Sequence, residues 1–182
     1  MRADARRSHD AILAAAGELF AARGSQAQMP EIAERAGVGM GTMYRHFATK
    51  QALLAAIIAR RFTAMIDLAR TAEELTDPGD AFETLLRTYL EAAEGDAAFR
   101  YAILGPEKKD WSQIAEQKAQ FADIARPILQ RAVDAGYLRS DLTFADFVLI
   151  TRGAMANMNP GDDDWRRQLT LTLEGIRAPR AS

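Results

Sequence analysis

The segment Ile32–Lys50, IAERAGVGMGTMYRHFATK, constrains this chain more tightly than any other stretch. Ile32, Ala33 and Ala36 are apolar at i, i+1 and i+4, which places them on one side of a helix, with Glu31, Glu34 and Arg35 on the other. Ala33 is small where a second helix must cross closely. Gly37 can take the positive φ of a tight interhelical turn, and Val38 then plugs that turn into a core. Met40, Met43 and Phe47 follow at i, i+3 and i+7, giving the next helix a buried stripe. Thr42, Tyr44, Arg45 and His46 fill its other face, and Lys50 opens the helix after it. The spacing predicts two short helices crossing around a glycine turn.

Hydroxyl, phenol, guanidinium, imidazole and ammonium groups are the kinds that donate to phosphate oxygens. A helix–turn–helix carrying them on its second helix is the arrangement that enters the major groove of DNA. Each residue alone has a bland reading. A-x-x-x-G before an apolar residue occurs in many helical domains, and Tyr44 or a lone histidine suits an ordinary amphipathic surface. The ordered set G-T-x-Y-R-H-F-x-x-K carries the inference.

On these residues the segment resembles the DNA-binding domain of the TetR (tetracycline repressor-like) family. The family pattern is close to I-A-x-x-A-G-V-S-x-G-T-x-Y-x-H-F-x-x-K. It is matched by Ile32-Ala33, Ala36-Gly37-Val38, Gly41-Thr42, Tyr44, His46-Phe47 and Lys50, with resemblance extending over about residues 8–60. It implies a homodimer with an all-helical effector-binding and dimerisation domain, and repression of a pseudo-palindromic operator relieved by a small ligand. It also places Thr42, Tyr44 and His46 against the DNA backbone or base edges and makes Lys50 a phosphate clamp. One departure stands out. The family usually has Ser after the Val, and this chain has Gly39, which can cap a helix but lacks the side-chain oxygen. Gly39-Met40-Gly41 leaves the helix start with almost no base-reading side chains, so Gln28, Thr42, Tyr44, Arg45 and DNA shape are expected to carry specificity.

The formal charge of −2 argues against nucleic acid, but its distribution does not. Residues 1–61 hold 9 Lys and Arg against 5 Asp and Glu, and residues 62–182 hold 14 against 20. A positive head on an acidic body suits contact with phosphate at one end. With 48 % hydrophobic residues, 12 Gly and 6 Pro, the chain reads as globular and helix-favouring. The absence of Cys, of a secretory signal and of a long apolar run suits a cytoplasmic protein. Neither a metal nor a cofactor is expected. His9 and His46 have no metal-ligand spacing, and no nucleophile elbow, P-loop or dinucleotide loop is present, so no catalytic residues are assigned.

The expected fold is all-α with about nine helices, residues 1–50 forming a three-helix DNA-binding domain and residues 51–182 a ligand-binding and dimerisation bundle. Ser8 can cap the first helix, running to Arg23, with Arg6 and Arg7 as a basic arm before it. Further helices are expected over about 30–36, 40–47, 50–74, 80–94, 96–104, 112–135 with a kink at Pro127, 143–157 and 162–176. The DNA-binding candidates are Gln28, Gly39, Gly41, Thr42, Tyr44, Arg45, His46 and Lys50. Candidate effector-site residues are Phe62, Met65, Phe82, Leu86, Tyr89, Phe99, Trp111, Phe121, Phe147 and Thr151, bulky and mostly apolar, as a small hydrophobic effector needs. A plain hydrophobic core would use the same residue types. The last two helices, with Phe147, Gly153, Ala154, Trp165, Leu169 and Leu173, are the expected dimer face. Two other classes remain open: a helical ligand-binding or adaptor protein that has lost DNA binding, and a small helical enzyme.

Overall fold

A computed structural model describes residues 2–106, 111–159 and 161–179. Among them are nine α-helices: α1 Arg2–Arg23, α2 Met29–Arg35, α3 Met40–His46, α4 Lys50–Glu73, α5 Pro78–Glu94, α6 Ala97–Leu104, α7 Ala115–Asp134, α8 Phe144–Ala156 and α9 Asp164–Ile176. The all-α expectation holds. The first helix starts well before Ser8, so Ser8 caps nothing and Arg6 and Arg7 lie within the helix. The cause is local: Ala3, Ala5, Arg6 and Arg7 are good helix formers, Asp4 sits in the first turn where a carboxylate favours the helix dipole, and Arg7 pairs with Asp4 one turn away. Between the helices expected over about 143–157 and 162–176, Pro160 lies outside the described residues.

Two compact units divide the chain. The first comprises Met1–Arg61 and Asp96–Glu116, the second Phe62–Gly95 and Gln117–Ser182. In the first, α1 packs on α2, α3 and α6. Ile12, Ala16 and Phe20 of α1, Ile32 and Ala33 of α2, Met43 and Phe47, and Phe99 of α6 are buried there. Asp96 caps α6 by accepting from the Phe99 N–H at 2.8 Å. Its other carboxylate oxygen accepts from Arg61 Nε at 3.0 Å, which joins α6 to α4.

The second unit is built on α5, which carries a continuous buried face of Phe82, Leu85, Leu86, Tyr89 and Leu90. Asp77 starts α5 by accepting from the Asp80 N–H at 2.8 Å, with Pro78 in the first turn. A reciprocal capping box between Thr143 and Asp146 starts α8. Pro127 lies inside α7, which runs on through it to Asp134.

Polar clasps hold α9 to α5. Glu94 accepts from Trp165 Nε1 at 2.8 Å and from both Arg166 terminal nitrogens at 2.7 Å. Near the other end Glu83 accepts from the Tyr137 hydroxyl and from Arg177, whose Nε also donates to Tyr137 Oη at 3.1 Å. A short antiparallel bridge pairs Leu138 with Arg177, with the Arg139 N–H donating to Ile176 O at 2.9 Å. Burial alone would raise the Glu83 pKa, but the bonds from Tyr137 and Arg177 outweigh it and hold the carboxyl below its usual value.

A depressed carboxylate contributes stability that is present above its unfolded pKa and lost as pH falls through its folded one. Glu83→Gln should therefore lower unfolding stability by about 1–3 kcal/mol at neutral pH. In urea titrations the gap between wild type and variant should close as pH drops below the ordinary carboxylate range. A gap that stays constant down to strong acid would show that the Glu83 charge contributes nothing.

Candidate nucleic-acid interface

The turn between α2 and α3 is a Schellman motif. The Val38 N–H donates to Ala33 O at 3.0 Å and the Gly37 N–H to Glu34 O at 3.0 Å. Gly37 sits at φ +68°, a conformation that costs any residue with a Cβ. This reversal sets α3 on α2 with Met43 and Phe47 inward. The other face of α3 is left to solvent: Tyr44 is 52 % exposed, Arg45, Gly39 and Gly41 are exposed, and Thr42 and His46 are half-buried.

The start of α3 is bare. Gly39 has extended backbone (φ −72°, ψ 154°) and gives α3 no side-chain cap; its carbonyl accepts from the Thr42 and Met43 N–H groups at 2.9 and 3.0 Å. A Cβ on Gly39 or Gly41 would meet nothing within 4 Å. Further along, Arg45 folds back on its own helix, Nη2 donating to Thr42 Oγ1 at 2.8 Å and Nε to Gly41 O at 3.2 Å. Thr42 and Arg45 thus form one polar unit beside Tyr44.

The remaining sequence candidates flank this face in different ways. Gln28 is exposed at the start of α2; its backbone N–H donates to Glu31 Oε2 at 3.1 Å and its Nε2 to Gln26 O at 3.3 Å. Lys50 is half-buried, with Nζ donating to Ser25 O at 2.9 Å and standing 5.3 Å from the Phe20 ring centroid. It ties the start of α4 to the α1–α2 connection. His46 meets the edge of His9 at 5.9 Å between centroids, and His9 in turn lies 5.2 Å from Phe47. Sequence reasoning placed His9 in the head but gave it no role. Its contact joins α1 to α3, which spacing within either helix cannot reveal. Ion pairs Arg23–Glu31 at 2.8 Å and Arg35–Glu18 link α1 to α2 on exposed surface, where each is worth about 1 kcal/mol or less.

Of the candidate effector-site residues, the second unit brings together Phe62, Tyr89, Phe121 and Phe147. Phe121 lies 5.8 Å from Phe62, 5.5 Å from Tyr89 and 6.2 Å from Phe147 between ring centroids. Tyr89 and Phe147 meet edge to face at 5.8 Å. Thr151 is buried beside them, its hydroxyl donating to Phe147 O at 3.0 Å and Val148 O at 3.1 Å. Burial drives the Tyr89 pKa well above its ordinary value, so the phenol stays neutral. Met65, Phe82 and Leu86 are buried in this unit, whereas Phe99 belongs to the first. Trp111 begins a short 3-10 turn, and its side chain lies outside the described residues.

The proposed dimer residues need correction. Trp165, Leu169, Leu173, Phe147 and Ala154 are buried within the chain, at 1, 6, 9, 2 and 2 % exposure, and Gly153 is half-buried. Trp165 is additionally held by Glu94. The apolar stripes of α8 and α9 turn inward, and the apolar side chains left outside are Val148, Leu149 and Leu171, at 41, 71 and 52 % exposure.

Two family models match. Residues 12–57 match the bacterial regulatory proteins of the tetR family, and residues 77–178 match the C-terminal domain of SbtR-like transcriptional regulators. A TetR transcription regulatory protein from Mycobacterium vanbaalenii is 32 % identical in a solved structure, covering 97 % of this chain and 99 % of that one with a TM-score of 0.62. A TetR regulator of known structure from Streptomyces coelicolor is 28 % identical, covering 95 % and 99 %, with a TM-score of 0.60. The HTH-type transcriptional activator FasR of Mycolicibacterium smegmatis is 33 % identical over 108 residues, 58 % of this chain and 49 % of its own length. The chain thus spans about half the length of that curated relative.

The glycine geometry makes a paired prediction for the head. Gly37→Ala should destabilise it by about 1–2 kcal/mol through the left-handed backbone. Gly39→Ser, which has room and restores a capping oxygen, should stabilise it by a few tenths of a kcal/mol, roughly. Thermal unfolding of both variants beside wild type checks the opposite signs. The matched families, the near-full-length relative and the outward face of α3 agree that this chain belongs to the TetR family and is a DNA-binding transcriptional regulator, not an enzyme.

Proposed function

We propose that the chain is a ligand-responsive repressor that binds a pseudo-palindromic operator as a homodimer, with residues 1–50 as the reading head and residues 51–182 as the effector-binding and dimerisation region. The observation that carries this reading is the division of α3, with Met43 at 0 % and Phe47 at 4 % exposure on one side and Tyr44 at 52 % on the other. Tyr44 and the Thr42–Arg45 pair then supply phosphate and base-edge contacts, supported by Gln28 and His46, while bare Gly39 and Gly41 let the duplex approach closely. Lys50, held by Ser25, acts on phosphate by proximity and by keeping the head in shape. Working on the chromosome places the protein in the cytoplasm.

Dimerisation follows from the outer faces of α8 and α9. Leu149 and Leu171 are large exposed apolar groups, flanked by half-buried Gly153 and exposed Ala156 and Gly175, small enough for close helix approach. A two-fold axis there presents two heads to half-sites about 34–36 Å apart, one turn of DNA. The effector site is the cluster of Phe62, Tyr89, Phe121 and Phe147 with Thr151, together with Met65, Phe82 and Leu86 of the same unit. The ligand relieves repression by binding more tightly to a dimer geometry that mis-spaces the heads.

The test is a mobility shift on the DNA just upstream of the coding sequence, titrated against salt. Wild type should bind, losing about a thousandfold or more in affinity between roughly 50 and 200 mM salt. Tyr44→Ala should weaken binding by on the order of tenfold or more. The double variant Leu149→Glu, Leu171→Glu should sediment as a monomer at micromolar concentration and lose the shift. A dimer that survives both substitutions would move the interface elsewhere, and a salt-insensitive shift unaffected by Tyr44→Ala would remove α3 from the contact.

A further inference from the structure

Gln117 is the one described residue whose side chain holds a buried polar atom with no hydrogen-bond partner. Its Oε1 is out of solvent, and no donor among the described residues reaches it. The residue lies one helical turn before Phe121 on α7, so the two share a face. Phe121 is 3 % exposed, and its ring meets Phe62, Tyr89 and Phe147. The helix thus carries a buried amide oxygen one turn from the Phe121 ring, where losing water without gaining a donor is unfavourable.

The surroundings define what could satisfy it. The Thr151 hydroxyl already donates to backbone carbonyls, Phe147 O at 3.0 Å and Val148 O at 3.1 Å. Thr151 is the one polar residue in the buried class among the described residues, with no Asp, Glu, Lys, Arg or His beside it in that class. A charged group brought among these rings would lose its hydration and find no buried counter-ion. Hydrocarbon or aromatic surface would meet four rings instead.

We propose that the effector of this chain is an uncharged, largely apolar molecule bearing a hydroxyl or N–H donor, which it gives to Gln117 Oε1 beside the Phe62, Tyr89, Phe121 and Phe147 rings. This rests on the reading of that cluster as the effector site. Gln117 is the specificity-determining residue: the rings accept any apolar body of suitable size, and the amide selects the one that carries a donor.

The experiment compares three probes on one skeleton, biphenyl, para-hydroxybiphenyl and biphenyl carboxylate, with naphthalene and naphthol as a second skeleton. Calorimetric affinity and the rise in unfolding midpoint are read on the full chain. In wild type the hydroxylated probe of each skeleton should bind roughly threefold to tenfold tighter than its parent hydrocarbon, the worth of one net hydrogen bond. The carboxylate should bind weakest. In Gln117→Met, close in shape but without the amide, the preference for the hydroxyl should fall to about one. Should that variant lose its cooperative melt, the wild-type ranking still decides. Equal affinity for hydroxylated and parent probes, a preference that survives in Gln117→Met, or tightest binding by the carboxylate overturns the proposal and leaves the effector-site reading standing. No binding by any of the five overturns the effector-site reading itself, and the proposal with it.

Discussion

The reading head depends on one backbone reversal. Gly37 at φ +68° lets the Val38 and Gly37 N–H groups return to the carbonyls of Ala33 and Glu34, and that double bond fixes where α3 begins relative to α2. With the crossing set, the 3.6-residue period does the rest. Met43 and Phe47 must enter the core with Ile32 and Ala33, so Tyr44 and Arg45 must leave it. The polar side chains on α3 are thus aimed by packing. The contacts around them hold the aim: Lys50 on Ser25 O, His9 against Phe47 and His46, and Arg45 on Thr42.

The second unit uses its charges differently. Glu94 gathers Trp165 and Arg166 of α9 onto α5, and Glu83 gathers Arg177 just past α9 and Tyr137 from the α7–α8 connection. These clasps keep the apolar stripe of α9 inside, with Leu169 and Leu173 at 6 and 9 % exposure. The opposite row of α9, with Leu171, and the outer row of α8, with Leu149, face outward. The clasps thus decide which face of α9 packs within the chain.

Much of this was legible in the sequence because it is local. The helix–turn–helix follows from the order of apolar and glycine positions between Ile32 and Phe47, and the helices expected over about 80–94 and 143–157 are α5 and α8. The start of α1 was misplaced because Ser8 resembles a cap, while the helix propensity of Ala3 to Arg7 and the Arg7–Asp4 pair carry the helix upstream. Phe147, Ala154, Trp165, Leu169 and Leu173, expected at the dimer face, pack within the chain for a different reason. Periodicity shows that Trp165, Leu169 and Leu173 share a stripe, but cannot say whether a stripe faces its own chain or another. Contacts between distant segments, such as Lys50 with Ser25, Tyr89 with Phe147 and His9 with His46, have no signature in spacing. Gln117 was invisible for the same reason, since an unpartnered amide is defined by what does not surround it.

Two copies of this head would read one two-fold-symmetric DNA site. Selection of bound molecules from a random-sequence DNA pool, with the wild-type protein as bait, decides whether they do. The account predicts enrichment of an inverted repeat whose half-site centres lie about one helical turn apart. An unenriched pool, or enrichment of a single asymmetric half-site, would contradict it.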